Sequence, residues 1–185
     1  MKRLISALSV IILAISLAFF FTSCADNPVG LSTGKPGIVN KDGQIKLLKW
    51  NDAFKQELLA KKGFDGEWVF PDKDATVGGK KTYNNSVYIP AGAVSGPTYV
   101  TVEVLGGDYA AVEFNPSMTF NTNVTITLSY AGVDLGDGSP YDLKPVWYNP
   151  DTGNWEYVDS PVTVDTKKQT ISFQTNHFSR YGWSW

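Results

Sequence analysis

The chain has 185 residues, with 16 Lys and Arg against 18 Asp and Glu, one Cys and one His. A single Cys excludes an intrachain disulfide and a cysteine-cluster zinc site, and a single His excludes metal sites that need paired histidines. A formal charge of −2 provides no electrostatic basis for binding nucleic acid, and the length suits one domain with an appendage.

The N-terminal residues 1–23 have the features of an export signal. Lys2 and Arg3 are followed by an apolar run over residues 4–21, and residues 21–24 have the sequence Phe-Thr-Ser-Cys. This pattern resembles the lipobox of bacterial lipoproteins. The resemblance implies cleavage before Cys24 and attachment of lipid to its thiol and amine, which would place the protein in the bacterial envelope, at the outer membrane or cell surface. An ordinary signal peptide and an uncleaved transmembrane anchor are the alternatives.

Two short regions follow the cysteine. Residues 24–43 are rich in Gly, Pro, Asn, Ser and Thr and lack an apolar period, which predicts a flexible lipidated tether. Residues 44–63 are predicted to hold one short amphipathic helix, because large apolar residues recur at spacings of three, four and four from Leu47 to Leu58. We expect this helix to pack on its own domain, and contact with the membrane or a partner is the alternative.

From residue 64 onward the apolar period becomes two. In the clearest run, 123–130, Val124, Ile126 and Leu128 alternate with polar residues, as in a half-buried antiparallel strand. The predicted strands are 86–90, 98–105, 123–130, 146–148, 155–158, 162–164 and 170–174. Turn-forming Gly, Asn, Asp and Pro separate them. The pattern predicts a mainly β chain, with an antiparallel β-sandwich over residues 64–185.

A set of motifs within residues 75–181 resembles the ZU-five domain of ankyrins and netrin receptors, in its bacterial, secreted branch. The motifs are YIPAGAV at 88–94, VTVEV at 100–104, FNP at 114–116, Phe120, VTITL at 124–128, Trp147, Trp155 and HFS at 177–179. The resemblance implies a β-sandwich used for protein contacts, usually without a small-molecule active site.

The tripeptide His177-Phe178-Ser179 also resembles the self-cleavage sequence of certain nucleoporins and of a death-domain protein that carries a ZU-five domain. The resemblance implies that His177 is the base and that Ser179 attacks the carbonyl of Phe178, which would cut the chain between Phe178 and Ser179. We expect the alternative, in which Phe178 is buried and its two neighbours form structural hydrogen bonds.

Other groups of residues indicate a metal site or a catalytic site more weakly. Asp134, Asp137 and Asp142 flank glycines and could ligate calcium, although an ordinary solvated turn is expected. Glu103 and Glu113 are a formal carboxylate pair for glycan hydrolysis, and are expected to be polar-face residues of adjacent strands. A Ser-His-Asp triad built on the lone histidine would lack a nucleophile-elbow motif. No metal or other cofactor is expected.

Aromatic residues concentrate near the C-terminus, and we expect most of them in the core, with Trp185 as the exposed exception. They are Trp147, Tyr148, Trp155, Tyr157, Tyr181, Trp183 and Trp185. The sequence thus predicts a membrane-anchored, non-catalytic module that binds an envelope protein or glycan. A self-cleaving domain is the alternative function, and a glycan hydrolase is a remote one.

Overall fold

The computed structural model describes residues 45–185. The predicted signal peptide, Cys24 and the tether lie outside the described residues. Within them are one α-helix, α1 (Asp52–Ala60), and the strands β1 (Phe64–Val69), β2 (Ala75–Gly79), β3 (Asn85–Ile89), β4 (Thr98–Leu105), β5 (Ala111–Asn115), β6 (Thr119–Ser129), β7 (Lys144–Asn149), β8 (Asn154–Tyr157), β9 (Thr163–Asp165), β10 (Thr170–His177) and β11 (Arg180–Ser184). No helix in this part of the chain is long and apolar enough to cross a membrane.

The strands form two antiparallel sheets that enclose one core. The six-stranded sheet has the order β1-β4-β5-β11-β7-β8, and the five-stranded sheet has the order β2-β3-β6-β10-β9. The inward faces of both sheets supply buried aliphatic and aromatic side chains to a single hydrophobic cluster. The predicted mainly β fold and antiparallel sandwich are therefore confirmed.

Alternation identifies strands that have one buried face. The predicted strand 98–105 coincides with β4, in which Val100, Val102 and Val104 are buried and Tyr99 is exposed. The other predicted runs lie within or within one residue of β3, β6, β7, β8, β9 and β10, and β6 and β10 extend further than expected.

The alternation does not delimit β1, β2, β5 and β11. Strand β11 is buried on both faces, since Tyr181, Gly182, Trp183 and Ser184 all have little exposed surface. Its large side chains, Tyr181 and Trp183, alternate with the small residues Gly182 and Ser184, which are buried as well. Strand β2 ends in Gly78 and Gly79, both at positive φ, a pair typical of a turn.

The helix is shorter than the sequence predicts. Residues 45–50 are extended rather than helical, with Leu48 and Trp50 buried, and the Leu48 amide donates to the Trp183 carbonyl at 2.8 Å. Asn51 then caps α1, where its side chain accepts a hydrogen bond from the Phe54 amide at 2.8 Å. The first part of the predicted helix does not form, because hydrogen bonds to distant residues hold residues 45–50 in an extended conformation.

The helix packs on its own domain, as expected. Phe54 is buried against Trp50 and Tyr83, with ring centroids 4.7 and 4.8 Å apart. An added Cβ on Gly132 would lie 2.3 Å from the Phe54 ring, so a glycine is required at this close approach. Residues 45–60 therefore belong to the same core as the sandwich.

Candidate functional site

The predicted His177-Phe178-Ser179 segment lies where the chain passes from one sheet to the other. His177 ends β10 in the five-stranded sheet, and Arg180 begins β11 in the six-stranded sheet. Phe178 is 2% exposed and lies between Phe114 and Phe120, with ring centroids 5.7 and 4.6 Å away. The segment closes one end of the sandwich with a buried aromatic cluster.

Ser179 is engaged by the backbone of both neighbouring strands. Its hydroxyl donates a hydrogen bond to the carbonyl of Tyr148 in β7. Its own carbonyl accepts a hydrogen bond from the Phe114 amide in β5 at 3.1 Å. These bonds give Ser179 a positioning role between strands, and they direct its hydroxyl toward an acceptor that cannot take up a proton.

His177 is half-buried among aromatic rings. Its ring centroid is 4.4 Å from that of Trp147, and its Nδ1 is 3.4 Å from the Tyr181 hydroxyl, which donates to the His177 carbonyl at 2.8 Å. Burial lowers the pKa of His177 below its ordinary value, and a hydrogen bond with the Phe178 backbone and the charge of Glu156 oppose this effect only in part. The imidazole is therefore predominantly neutral at pH 7.

The lowered pKa of His177 predicts a loss of stability on mild acidification. The unfolded chain takes up a proton near pH 6.5 more readily than the folded chain, so stability is fully present above that pH and falls as the pH drops toward the folded-state pKa. We expect the Tm of the wild-type chain to fall between about pH 7.5 and 5.5, and that of His177→Gln to change less.

This pH window separates the effect of His177 from that of the Asp65 carboxylate. Hydrogen bonds and the nearby Lys81 hold the pKa of Asp65 below 3.8, so its contribution is lost only in stronger acid. Thermal scans of both chains at several pH values measure the difference. Equal slopes in the two chains would contradict the burial effect assigned to His177.

Beside His177 lies an open groove of about 400 Å³ that is lined by residues of both sheets. The volume falls within the range of roughly 300–1,000 Å³ that is usual for small-ligand sites. Strands β7 and β8 and the residues after them form one side of the groove, and β6 and β10 form the other. The lining residues are Asn123, Trp147, Glu156, Tyr157, Val158, Asp159, Ser160, Gln174, Thr175, Asn176 and His177.

Three carboxamides in this groove have no partner. Asn123, Gln174 and Asn176 are exposed, and within residues 45–185 their side chains make no hydrogen bond to the protein. Glu156, by contrast, accepts hydrogen bonds from Asn149 at 2.8 Å and Thr152 at 3.3 Å. The residues that line the groove therefore include three amides without a protein partner, a fixed carboxylate and the partly buried indole of Trp147.

The predicted calcium ligands are placed on a surface loop. The carboxylate of Asp134 accepts a hydrogen bond from the Gly136 amide at 3.1 Å, and Asp142 lies in a short 3-10 helix, Pro140–Asp142. Across residues 45–185 no three acidic, His or Cys side chains are arranged to hold a metal ion. The structure thus does not bring Asp134, Asp137 and Asp142 together as ligands.

Glu103 and Glu113 lie directly opposite each other on β4 and β5, which confirms that they belong to adjacent strands. Each has a cationic partner: Lys62 is 2.8 Å from Glu103, and Arg180 is 2.9 Å from Glu113. These ion pairs offset the repulsion that two facing carboxylates would otherwise have.

The C-terminal aromatics divide between core and surface. Tyr181 and Trp183 are fully buried, and burial raises the pKa of Tyr181. Trp185 is not the expected exception, because it packs partly buried against Gly138, where an added Cβ would lie 2.1 Å from the ring. Tyr157, at 44% exposure, is the more open side chain.

The sequence does not reveal the groove. It identified Trp147, Tyr157 and His177 as candidates, but not the polar residues around them. Asn123 and Gln174 are ordinary polar-face residues of separate strands, and no local pattern distinguishes them. Only the strand order brings them together.

No protein-family model and no curated protein matches this chain.

Proposed function

We propose that this chain is a lipid-anchored protein of the bacterial envelope whose β-sandwich is a non-catalytic binding module. In this proposal Cys24 carries the lipid, the outer membrane or cell surface holds the protein, and residues 24–43 are the tether. The sandwich binds an envelope protein or glycan. The sequence resemblance to lipoboxes supports the anchor, and the resemblance to ZU-five domains supports the module.

The observation that carries the binding role is the set of unpartnered carboxamides in the groove. Polar side chains usually find a partner within the protein or in solvent, and three exposed amides that line one groove together with an aromatic residue form a surface suited to a polar ligand. Ser179 does not line the groove, and its hydroxyl donates to the Tyr148 carbonyl rather than to a base, which argues against self-cleavage.

Tethering would increase the effect of a weak site. A module held near the membrane by a flexible linker meets nearby ligands at a high effective concentration. Moderate affinity at an open groove is then sufficient for function.

Binding at the groove is tested with two envelope fractions, purified polysaccharide and detergent-solubilised membrane protein. The wild-type chain should retain one fraction, and the double variant Asn123→Ala/Gln174→Ala should lose it. Retention of neither fraction by the wild-type chain would reject the binding module.

Replacing Cys24 by serine is expected to abolish lipid attachment, because serine lacks the thiol that is alkylated. Intact-mass measurement after expression in a Gram-negative host should give residues 24–185 plus acyl groups for the wild-type chain. The Cys24→Ser chain should carry no acyl mass and should leave the membrane fraction.

The same spectrum tests self-cleavage. If a species that ends at Phe178 is present in the wild-type protein and absent from Ser179→Ala, the chain is a self-processing domain, and the proposal of a non-catalytic binding module is rejected. We expect the chain to reach Trp185 in both proteins. A wild-type mass without acyl groups would reject the lipoprotein assignment.

A further inference from the structure

We infer that the groove beside Trp147 binds a neutral glycan, with sugar hydroxyls bonded to the free carboxamides of Asn123, Gln174 and Asn176. This inference rests on the proposed binding module and specifies its ligand. It follows from the type of polar group in the groove, from the charge of the lining, and from the scarcity of aliphatic surface.

The polar groups match hydroxyls. A carboxamide supplies both donors and an acceptor, and a sugar hydroxyl likewise donates and accepts, so one amide can bond two adjacent hydroxyls. The three amides come from β6 and β10, on the side of the groove opposite β7 and β8. Ser160 and Thr175 add further hydroxyls to the lining, and Trp147 contributes the apolar surface against which the C–H face of a sugar ring can rest.

The charges disfavour an acidic sugar. Glu156 and Asp159 line the groove, and none of the described lining residues is Lys or Arg. Carboxylate, sulfate and phosphate groups are usually bound by Arg or Lys, and here they would face two carboxylates instead. A neutral sugar avoids this repulsion and can donate hydroxyl protons to the same carboxylates.

The lining also differs from that of a protein-binding pocket. Protein interfaces concentrate affinity in a desolvated apolar centre with aromatic and Arg anchors. Among the lining residues Val158 is the one aliphatic side chain. The groove is thus better matched to a hydroxyl-rich ligand than to an apolar peptide side chain.

The test titrates the wild-type chain with neutral hexasaccharides of glucose, N-acetylglucosamine, xylose and mannose, and with hexagalacturonic acid as the anionic counterpart. Calorimetry and tryptophan fluorescence report binding. We expect saturable binding of at least one neutral hexasaccharide and none of hexagalacturonic acid. The double variant Asn123→Ala/Gln174→Ala should bind the neutral hexasaccharide at least about fivefold more weakly, because it lacks two hydrogen-bonding groups.

The control is Gln56→Ala, which removes an exposed amide from α1, outside the groove. It should bind like the wild-type chain. Failure of all four neutral sugars, equal binding of hexagalacturonic acid, or unchanged binding by the double variant would each overturn the inference. If the groove variant instead loses a membrane protein and no sugar binds, the binding module stands and the glycan assignment fails.

Discussion

Replacing Trp50 by alanine is expected to lower the free energy of unfolding by about 3–5 kcal/mol, the usual cost of truncating a buried aromatic residue. Trp50 is 1% exposed, and its ring lies 5.3 Å from that of Trp183 and 4.7 Å from that of Phe54. Its Nε1 donates to the Leu105 carbonyl at 2.9 Å. The substitution removes both the packing and this bond.

Urea unfolding followed by circular dichroism on the chain from residue 25 onward measures the loss. Leu59→Ala is the matched control, since Leu59 lies on α1 at 81% exposure and should change stability by no more than about 0.5 kcal/mol. A small effect of Trp50→Ala would show that residues 45–60 are not part of the cooperative core. That result would restore the predicted alternative in which the helix serves a membrane or a partner.

Replacing Phe178 by alanine is expected to lower the free energy of unfolding by a similar amount, about 3–5 kcal/mol. The ring fills the space between Phe114 and Phe120 at the point where β10 leaves one sheet and β11 enters the other. A cavity there would loosen both sheets at once. The Phe178 amide also donates to the Met118 carbonyl at 2.9 Å, which fixes the path of the crossing.

Phe70→Ala provides the comparison, because Phe70 is 44% exposed and its truncation should lower the free energy of unfolding far less. Equal losses for the two variants would contradict the central position of Phe178. A large loss for Phe178→Ala alone, with the chain intact to Trp185, would make the tripeptide a structural junction between sheets.

Trp50 and Phe178 lie near opposite ends of the described chain, yet both belong to the same core. The extended segment at 45–50 hydrogen-bonds to Trp183 in β11, and Phe178 begins the connection into that strand. Contacts from the segment 45–50 and from the connection at Phe178 therefore both stabilise strand β11.

The sequence by itself determined the mainly β class, most strands and the core face of β6, because one buried face imposes a period of two. It also placed Pro90 at the end of a strand, and β3 ends at Ile89. It did not determine the extended form of residues 45–50, since the large apolar residues from Leu47 to Leu58 satisfy a helical spacing. Backbone hydrogen bonds to distant residues, among them Trp183, Ala110 and Asp134, select the other conformation.

Only the tertiary structure determined the surroundings of the tripeptide and the residues that form the groove. The tripeptide at 177–179 is visible in the sequence, but the direction of the Ser179 hydroxyl depends on Tyr148, which lies on another strand. The groove depends on the pairing of β6 with β10 and on the position of β7 and β8 across from them. Contacts between strands far apart in the chain leave no local pattern, so Asn123 and Gln174 gain their significance only from the fold.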